Sequence, residues 1–390
     1  MTGPGVAIIG AGVGGCGAAL RAAQLGASEV IVLEQEHPAS GSSGRSAGVY
    51  NVQTTDPLNI EIRARARELF FRLEAEEGLH LSRIGNVRVA RSEAQMDQLA
   101  TAVGVQRSLG VRDSVLLDRT ALQQLVPDLR TDDLAGGLLG PNDGHLDGQQ
   151  LCDVLLAAAR KLGAGVRVRT SVRGYDRDRS GRHRLITSSG DVTADVIINA
   201  AGAWAGRVGG LLGHELPLVP QVHEVVQVRL PRALGYTVPM VNLYMPGDRG
   251  EALYFRQDGP DTLIAGMHTY LVQEQLATAD PDHYPRRVAD SYVERVAEAL
   301  ADRFLVDDLG FKPGWTGLYP LTVDGGFLVG PHEQDATVIA CAGFGGTGVT
   351  SGPICGFIAA EWALLGEPVT IPGAGALLPD RPTAALEAGQ

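Results

Sequence analysis

VAIIGAGVGGCGAALRAAQLGASEVIVLEQE, residues 6–36, decides the fold. Residues 6–9 are a short apolar run suited to a buried parallel strand, and the glycines that follow stand in the order G-x-G-x-x-G. Gly10 permits a tight turn, Gly12 lets the backbone approach a pyrophosphate, and Gly15 lets the next helix pack closely on the strand. The helix N-terminus then faces the anion. A second apolar run, residues 30–33, ends in Glu34, whose carboxylate can accept hydrogen bonds from a ribose diol and would repel a 2′-phosphate. Strand, glycines, helix, strand and acid in this order predict a dinucleotide-binding βαβ unit.

Two further stretches extend that site. HPASGSSGRSAGVYN follows the acid and carries Ser42, Ser43, Arg45 and Ser46, a run of small residues and hydroxyls suited to a second phosphate or a ring edge. Near the other end, VIACA runs into GFGGTGVTSGP, residues 343–353, a glycine turn between a strand and a helix. It contains no acid, base or nucleophile, so its backbone amides carry its chemistry. The amides of Gly346, Thr347 and Gly348 at a helix N-terminus suit a ligand that gathers negative charge.

Composition limits the alternatives. The 390 residues are 44% hydrophobic, enough for a large core, and the formal charge of −12 with no basic run speaks against a nucleic-acid partner. Cys16, Cys152, Cys341 and Cys355 are scattered without CxxC or metal-ligand spacing, so neither a disulfide scaffold nor a metal site is expected. Lys161 and Lys312 are the only lysines. No basic n-region or uninterrupted apolar span opens the chain, and the expected address is cytoplasmic, with no membrane span.

These motifs together resemble the superfamily of FAD-dependent amine oxidoreductases that includes D-amino-acid oxidase, sarcosine oxidase and glycine oxidase. LGAGVRVRTSVRGY, residues 162–175, is similar to the family strand whose backbone, here at Val172, meets the adenine. DVIINAAGAWAGRVGGLLG, residues 195–213, resembles its turn beside the cofactor, with Ala200, Ala201, Gly202 and Trp204. GLYPLTVDGGFLVGP and the 343–353 turn resemble its closing segment, and the resemblance implies that Gly343, Gly345, Gly346, Thr347, Gly348 and Val349 lie beside the flavin ring. The matches span about residues 6–365. They imply an α/β protein: a Rossmann-like FAD-binding domain (1–85, 145–220 and 310–370) with a discontinuous second domain built on a mostly antiparallel sheet (86–144 and 221–309). An amphipathic helix is expected over 278–302, and 375–390 reads as a flexible tail.

The implied reaction is two-electron oxidation of a C–H bond next to nitrogen, giving an imine from an amine or amino acid. Candidate pocket residues are Arg45, His223, Tyr244, Tyr254, Arg256, His268 and Tyr319; Tyr254, Arg256, His268 and Tyr319 are the catalytic candidates. Tyr254 and Arg256, two apart on a strand, share a face. As an acid or base, an unperturbed His268 would titrate in the useful range. Three departures from the family pattern matter. Tyr319 in GLYPLTVDG stands where glycine oxidases carry a carboxylate-binding arginine, which leaves Arg45, Arg256 or a substrate without an α-carboxylate. Gly317 stands where monomeric sarcosine oxidases attach flavin through cysteine, so FAD is expected to be non-covalent. Ile264 stands near the position of their oxygen-activating lysine, so the electron acceptor is oxygen used slowly, a quinone or a partner protein. The alternatives are a dehydrogenase subunit, a biosynthetic tailoring oxidase acting on a bulky amine, and a non-catalytic flavoprotein scaffold.

Overall fold

A computed structural model describes residues 3–246, 248, 250–273 and 279–381. The glycine-rich βαβ unit sits at the centre of a six-stranded sheet ordered Leu328–His332, Asp335–Ala342, Val196–Asn199, Gly5–Ile9, Glu29–Leu33, Gly165–Arg167. All neighbours are parallel except Leu328–His332, which runs against Asp335–Ala342. Its central strands are apolar except at their ends, where Glu29 and Asn199 stand, because both faces are covered. Val6, Ile8, Val30 and Val32 face the helices Val13–Gln24, Gly148–Lys161 and Gly348–Leu365. Ala7, Ile9, Ile31 and Leu33 face the opposite way, toward a three-stranded sheet over 172–194 and the helix Ala205–Leu212. The alternation is the two-residue period of a strand. Residues 345–365 are long and apolar enough to cross a membrane, but they form the core helix packed on Val13–Gln24 and Pro57–Glu77.

Two glycines are required by this packing. Gly10 has φ of +103°, and a Cβ there would lie 2.5 Å from the Ala200 carbonyl oxygen. A Cβ on Gly15 would lie 2.0 Å from the Gly10 carbonyl oxygen. Gly15 thus joins helix to strand, as its place in the motif implies.

The second layer is an eight-stranded sheet ordered Gly310–Thr322, Leu218–Arg229, Thr262–His268, Ala252–Gly259, Met240–Asn242, Asn86–Ala90, Gly136–Gly140, Val115–Asp118. It is antiparallel apart from the pair Met240–Asn242 and Asn86–Ala90. One face, with Val87, Val89, Val226, Val228, Leu253, Phe255, Leu263 and Ala265, packs on the helix Asp290–Arg303. The alternate residues face the nucleotide-binding layer, and the cleft lies between.

The sequence-drawn boundaries shift in three places. Gly310–Thr322, assigned to the flavin unit, pairs along its length with Leu218–Arg229 and is an edge strand of the second sheet. The helix expected over 278–302 begins at Asp290, because residues 280–283 form a turn and Pro285 interrupts the approach; part of that expectation, residue 278, lies outside the described residues. The tail expected over 375–390 does not begin at residue 375. Pro372–Leu377 is a 3-10 helix with Leu377 buried, and Arg381 forks onto Asp324 at 2.8 Å. Residues 382–390 lie outside the described residues.

Candidate active site

Four helices away from the cleft start on a side-chain cap: Asp56, Ser92, Asp118 and Asp147 each accept from an amide of the first turn. The helix Asp290–Arg303 lacks one but has Asp290 in its first turn. The three helices that begin at the cleft, Val13–Gln24, Ala205–Leu212 and Gly348–Leu365, have no side-chain cap from their own N-cap residue and no acid in the first turn. Their orphan amides and positive dipole ends face one cavity, which is a built receptor for an anionic ligand.

The lining follows the shape of a dinucleotide. Glu34, at the end of its strand, accepts from the amides of Ala11 at 2.9 Å and Glu36 at 2.8 Å, and borders the cleft near Val172. Gly12 and Ser43 come next; the Ser43 hydroxyl accepts from the Val13 amide at 3.1 Å. Ser42 is tied to the Leu318 carbonyl at 2.7 Å and Ser46 to the Gly48 amide at 2.9 Å, which fixes the 42–46 run as a wall. Arg45 lines the cleft with its Nε buried and without a partner. Ala201, Gly202 and Trp204 form the facing side, and Gly345, Gly346, Thr347, Gly348 and Val349 close the far end. Gly15 and Gly343 are not in the lining. Gly343 has φ of +80° and turns the chain out of its strand, so its place among the cofactor contacts is corrected to a turn residue.

At the far end an aromatic cluster stands over the 345–349 turn. A Cβ on Gly346 would fall 2.4 Å from the Tyr319 ring, so Gly346 is what admits that ring. Tyr319 stacks on His223 with ring centroids 3.7 Å apart, and its hydroxyl lies 3.4 Å from His268 Nδ1. His268 stacks on Tyr244 at 4.4 Å and meets Tyr270 edge-on at 4.7 Å. Tyr254 reaches the cleft because Gly266 beside it has no side chain. The Nε2 atoms of His223 and His268 are both buried with no partner among the described residues. Burial pushes His223 down to about 3; burial first, then the neighbouring charges of His223, Arg88 and Arg63, holds His268 well below the ordinary imidazole range. Both rings are neutral at pH 7.

Arg256 is not at the cleft. Although it shares a strand face with Tyr254, the 45–48 segment lies across it, and it donates to the Ala47 carbonyl at 2.9 Å and to Asp258 at 2.8 Å. Its expected role in gripping substrate is replaced by a structural one. Ile264, paired with Arg256, is fully buried and does not border the cleft. The cleft does hold two arginines that the sequence reading passed over, Arg63 and Arg88, together with Asn51 and Tyr270. In NVRVA the valines fix the buried face, so alternation alone points Arg88 the other way. Arg63 sits in a helix rich in arginine and gives no such signal. The mouth is tied by Arg207 to Asp280 at 2.9 Å and by Trp204 Nε1 to Asp282 at 2.7 Å.

The buried histidines set a stability profile. Burial lowers His145 and His183 to about 4 and lowers His332 as well, beside His223 and His268, so folding excludes protons from five rings. Their stabilisation is complete above the unfolded value near 6.5 and is lost as pH falls toward the folded values. Buried Asp143, raised to about 6 by desolvation, and half-buried Glu224, also raised by burial, oppose this. The thermal midpoint of the FAD-loaded protein is therefore expected to fall between pH 7.5 and 5.5. An unchanged midpoint would show that these rings charge freely in the fold.

A cleft between a parallel nucleotide-binding sheet and an antiparallel sheet, with three uncapped helix ends on one side and an aromatic wall on the other, defines a flavoprotein oxidoreductase. The chain belongs to the family of FAD-dependent oxidoreductases termed DAO, whose model matches residues 5–362. It is 28% identical over 369 residues to glycine oxidase of Geobacillus kaustophilus, covering 91% of this chain and 92% of that one. It is 27% identical over 378 residues to the mitochondrial dimethylglycine dehydrogenase of Homo sapiens, but spans only 42% of that protein, against 93% of its own length. In fold it is similar to L-proline dehydrogenase from P. horikoshii, with a TM-score of 0.82 at 22% identity over 97% of both chains.

Proposed function

We propose that the protein oxidises the C–N bond of an amine or amino acid to an imine. The observation that carries the reading is the pair of neutral rings His223 and His268, each with a buried Nε2 that has no partner among the described residues, set beside the flavin end of an FAD cleft. Bound FAD supplies the two-electron acceptor for a C–H bond adjacent to nitrogen. Most amines arrive as ammonium ions, whose lone pair is committed to a proton. His268 Nε2 takes that proton and frees the lone pair, while the Tyr319 hydroxyl at Nδ1 orients the ring. Tyr244, Tyr254 and Tyr270 exclude water and hold the carbon skeleton. The family membership and the similarity to glycine oxidase support this class of substrate. Gly317, whose Cβ position is 3.4 Å from Arg45 Cβ, supports non-covalent FAD, since glycine offers no atom for a link.

The test is an anaerobic panel of amines and amino acids, read by loss of the flavin absorbance near 450 nm. At least one is expected to bleach it within seconds, and a panel without effect rejects the reaction. Admitting air afterwards separates oxidase from dehydrogenase. We favour the dehydrogenase arm, because no lysine lines the cleft: Lys161 is exposed and paired with Glu77, and Lys312 lies exposed on an edge strand. Reoxidation as fast as turnover would choose the oxidase.

A further inference from the structure

Arg63 and Arg88 are 4% and 1% exposed, and neither has a carboxylate partner among the described residues. Arg63 donates through Nη1 to Asn51 Oδ1 at 2.8 Å, and its Nε is buried without a partner among the described residues. Arg88 donates through Nε to the Gln53 carbonyl at 2.9 Å and through Nη1 to the Tyr244 carbonyl at 2.6 Å, with its guanidinium 4.8 Å from the Tyr244 ring centroid. All these acceptors are neutral. The buried carboxylate in this region, Asp143, is committed elsewhere: it pairs with Arg67 at 3.1 Å and accepts from Gln53 Nε2 at 3.0 Å. Arg67 in turn forks onto Asp113 at 2.8 Å.

Two buried cations side by side without a counter-ion are costly, since desolvation is not offset and they repel each other. Burial and the neighbouring Arg88 charge both lower the Arg63 guanidinium from its usual value, though not enough to discharge an arginine. The other buried arginines show the ordinary solution, because Arg67 and Arg303 are each ion-paired. Both unpaired arginines line the FAD cleft, beyond Tyr244 and His268. A charge left unmatched at a cavity wall is matched by what enters the cavity.

We propose that Arg63 and Arg88 receive a carboxylate of the amine substrate, so that the substrate is an amino acid held at its anionic end by this pair. The inference rests on the oxidoreductase reading for the word substrate, but the site itself needs only an anion. The guanidinium edges left by the existing bonds are planar forks, the geometry that fits a carboxylate. Tyr244, whose hydroxyl burial keeps protonated, and the Tyr270 ring flank the pair.

The experiment titrates the oxidised FAD-loaded protein with valerate and with its uncharged isostere valeramide, following the shift of the visible flavin spectrum and the thermal midpoint. Valerate is expected to bind about 10- to 100-fold more tightly than valeramide, the range of charge-assisted hydrogen bonding, and to raise the midpoint. Arg63→Met should abolish the preference without lowering the midpoint of the ligand-free protein; Arg63→Lys should restore part of it. Arg88→Met should act likewise if it folds, and the Arg63 variants decide if it does not. Equal affinities in the wild type, or a preference that survives Arg63→Met, would overturn the proposal. Inorganic phosphate binding as tightly as valerate would overturn the carboxylate assignment. Valerate binding alongside a silent amine panel would reject the reaction and leave this site standing.

Discussion

Gly12→Val protein is expected to purify folded and colourless, while the wild type is yellow and releases intact FAD into the supernatant on acid precipitation. The choice of glycine matters. At Gly10 or Gly15 any side chain collides with backbone within 2.5 Å, so a loss of flavin there would report a broken fold. Gly12 has φ of −79° and ψ of −178°, an extended conformation that valine adopts freely. The nearest atom to its Cβ position is Ser43 Oγ at 3.1 Å, at the cleft wall. The branched side chain therefore projects where a pyrophosphate would approach the uncapped amides of Val13–Gln24. Losing two or three charge-assisted hydrogen bonds of roughly 1.5–3 kcal/mol each lowers FAD affinity by at least about 100-fold. The ratio of absorbance at 450 to 280 nm, with far-ultraviolet circular dichroism as the folding control, reads the outcome. Wild-type flavin content would remove the glycine turn from the cofactor site.

Gly12 was legible in the sequence because its whole argument is local. Strand, turn, helix and acid lie within thirty residues, and the period of the apolar residues fixes which element each belongs to. The glycine turn at 343–353 was legible as backbone for the same reason. Arg256 shows where such reasoning stops. Its two-residue spacing from Tyr254 rightly gives a common strand face, yet residues 45–48 cross that face and take Arg256 out of the cleft. Only the meeting of segments some 200 positions apart decides this. Ile264 was placed by resemblance of position alone, which says nothing of the layer above its strand. Arg88 was readable in principle from the valines around it, whereas Arg63 becomes meaningful only when Asn51, Arg88 and Tyr244 are brought beside it. The strand Gly310–Thr322 was misassigned because its end, carrying Gly317 and Tyr319, borders the flavin region while its hydrogen bonds belong to the other sheet.

His268→Gln is expected to slow anaerobic flavin reduction by about 10²- to 10⁴-fold at pH 7, the range for loss of a positioned base. The obvious objection is that His268, held well below the ordinary range, is a weak base. Two of the causes that hold it down are the charges of Arg88 and Arg63. If a substrate carboxylate neutralises those charges, His268 becomes more basic in the complex than in the free protein, at the moment an ammonium ion is placed beside it. The anion site and the base would then be coupled, and amines lacking a carboxylate would react slowly even when they fit. The variant separates this role from packing: glutamine keeps a polar group in the cluster but accepts no proton. Its reduction rate should recover as pH rises toward the pKa of the substrate amine, because the substrate then arrives already neutral. The wild type should show no such steep rise. A loss that is the same at every pH would make His268 a packing residue, and an undiminished rate paired with a pH-rescued loss in His223→Gln would move the proton to the other ring.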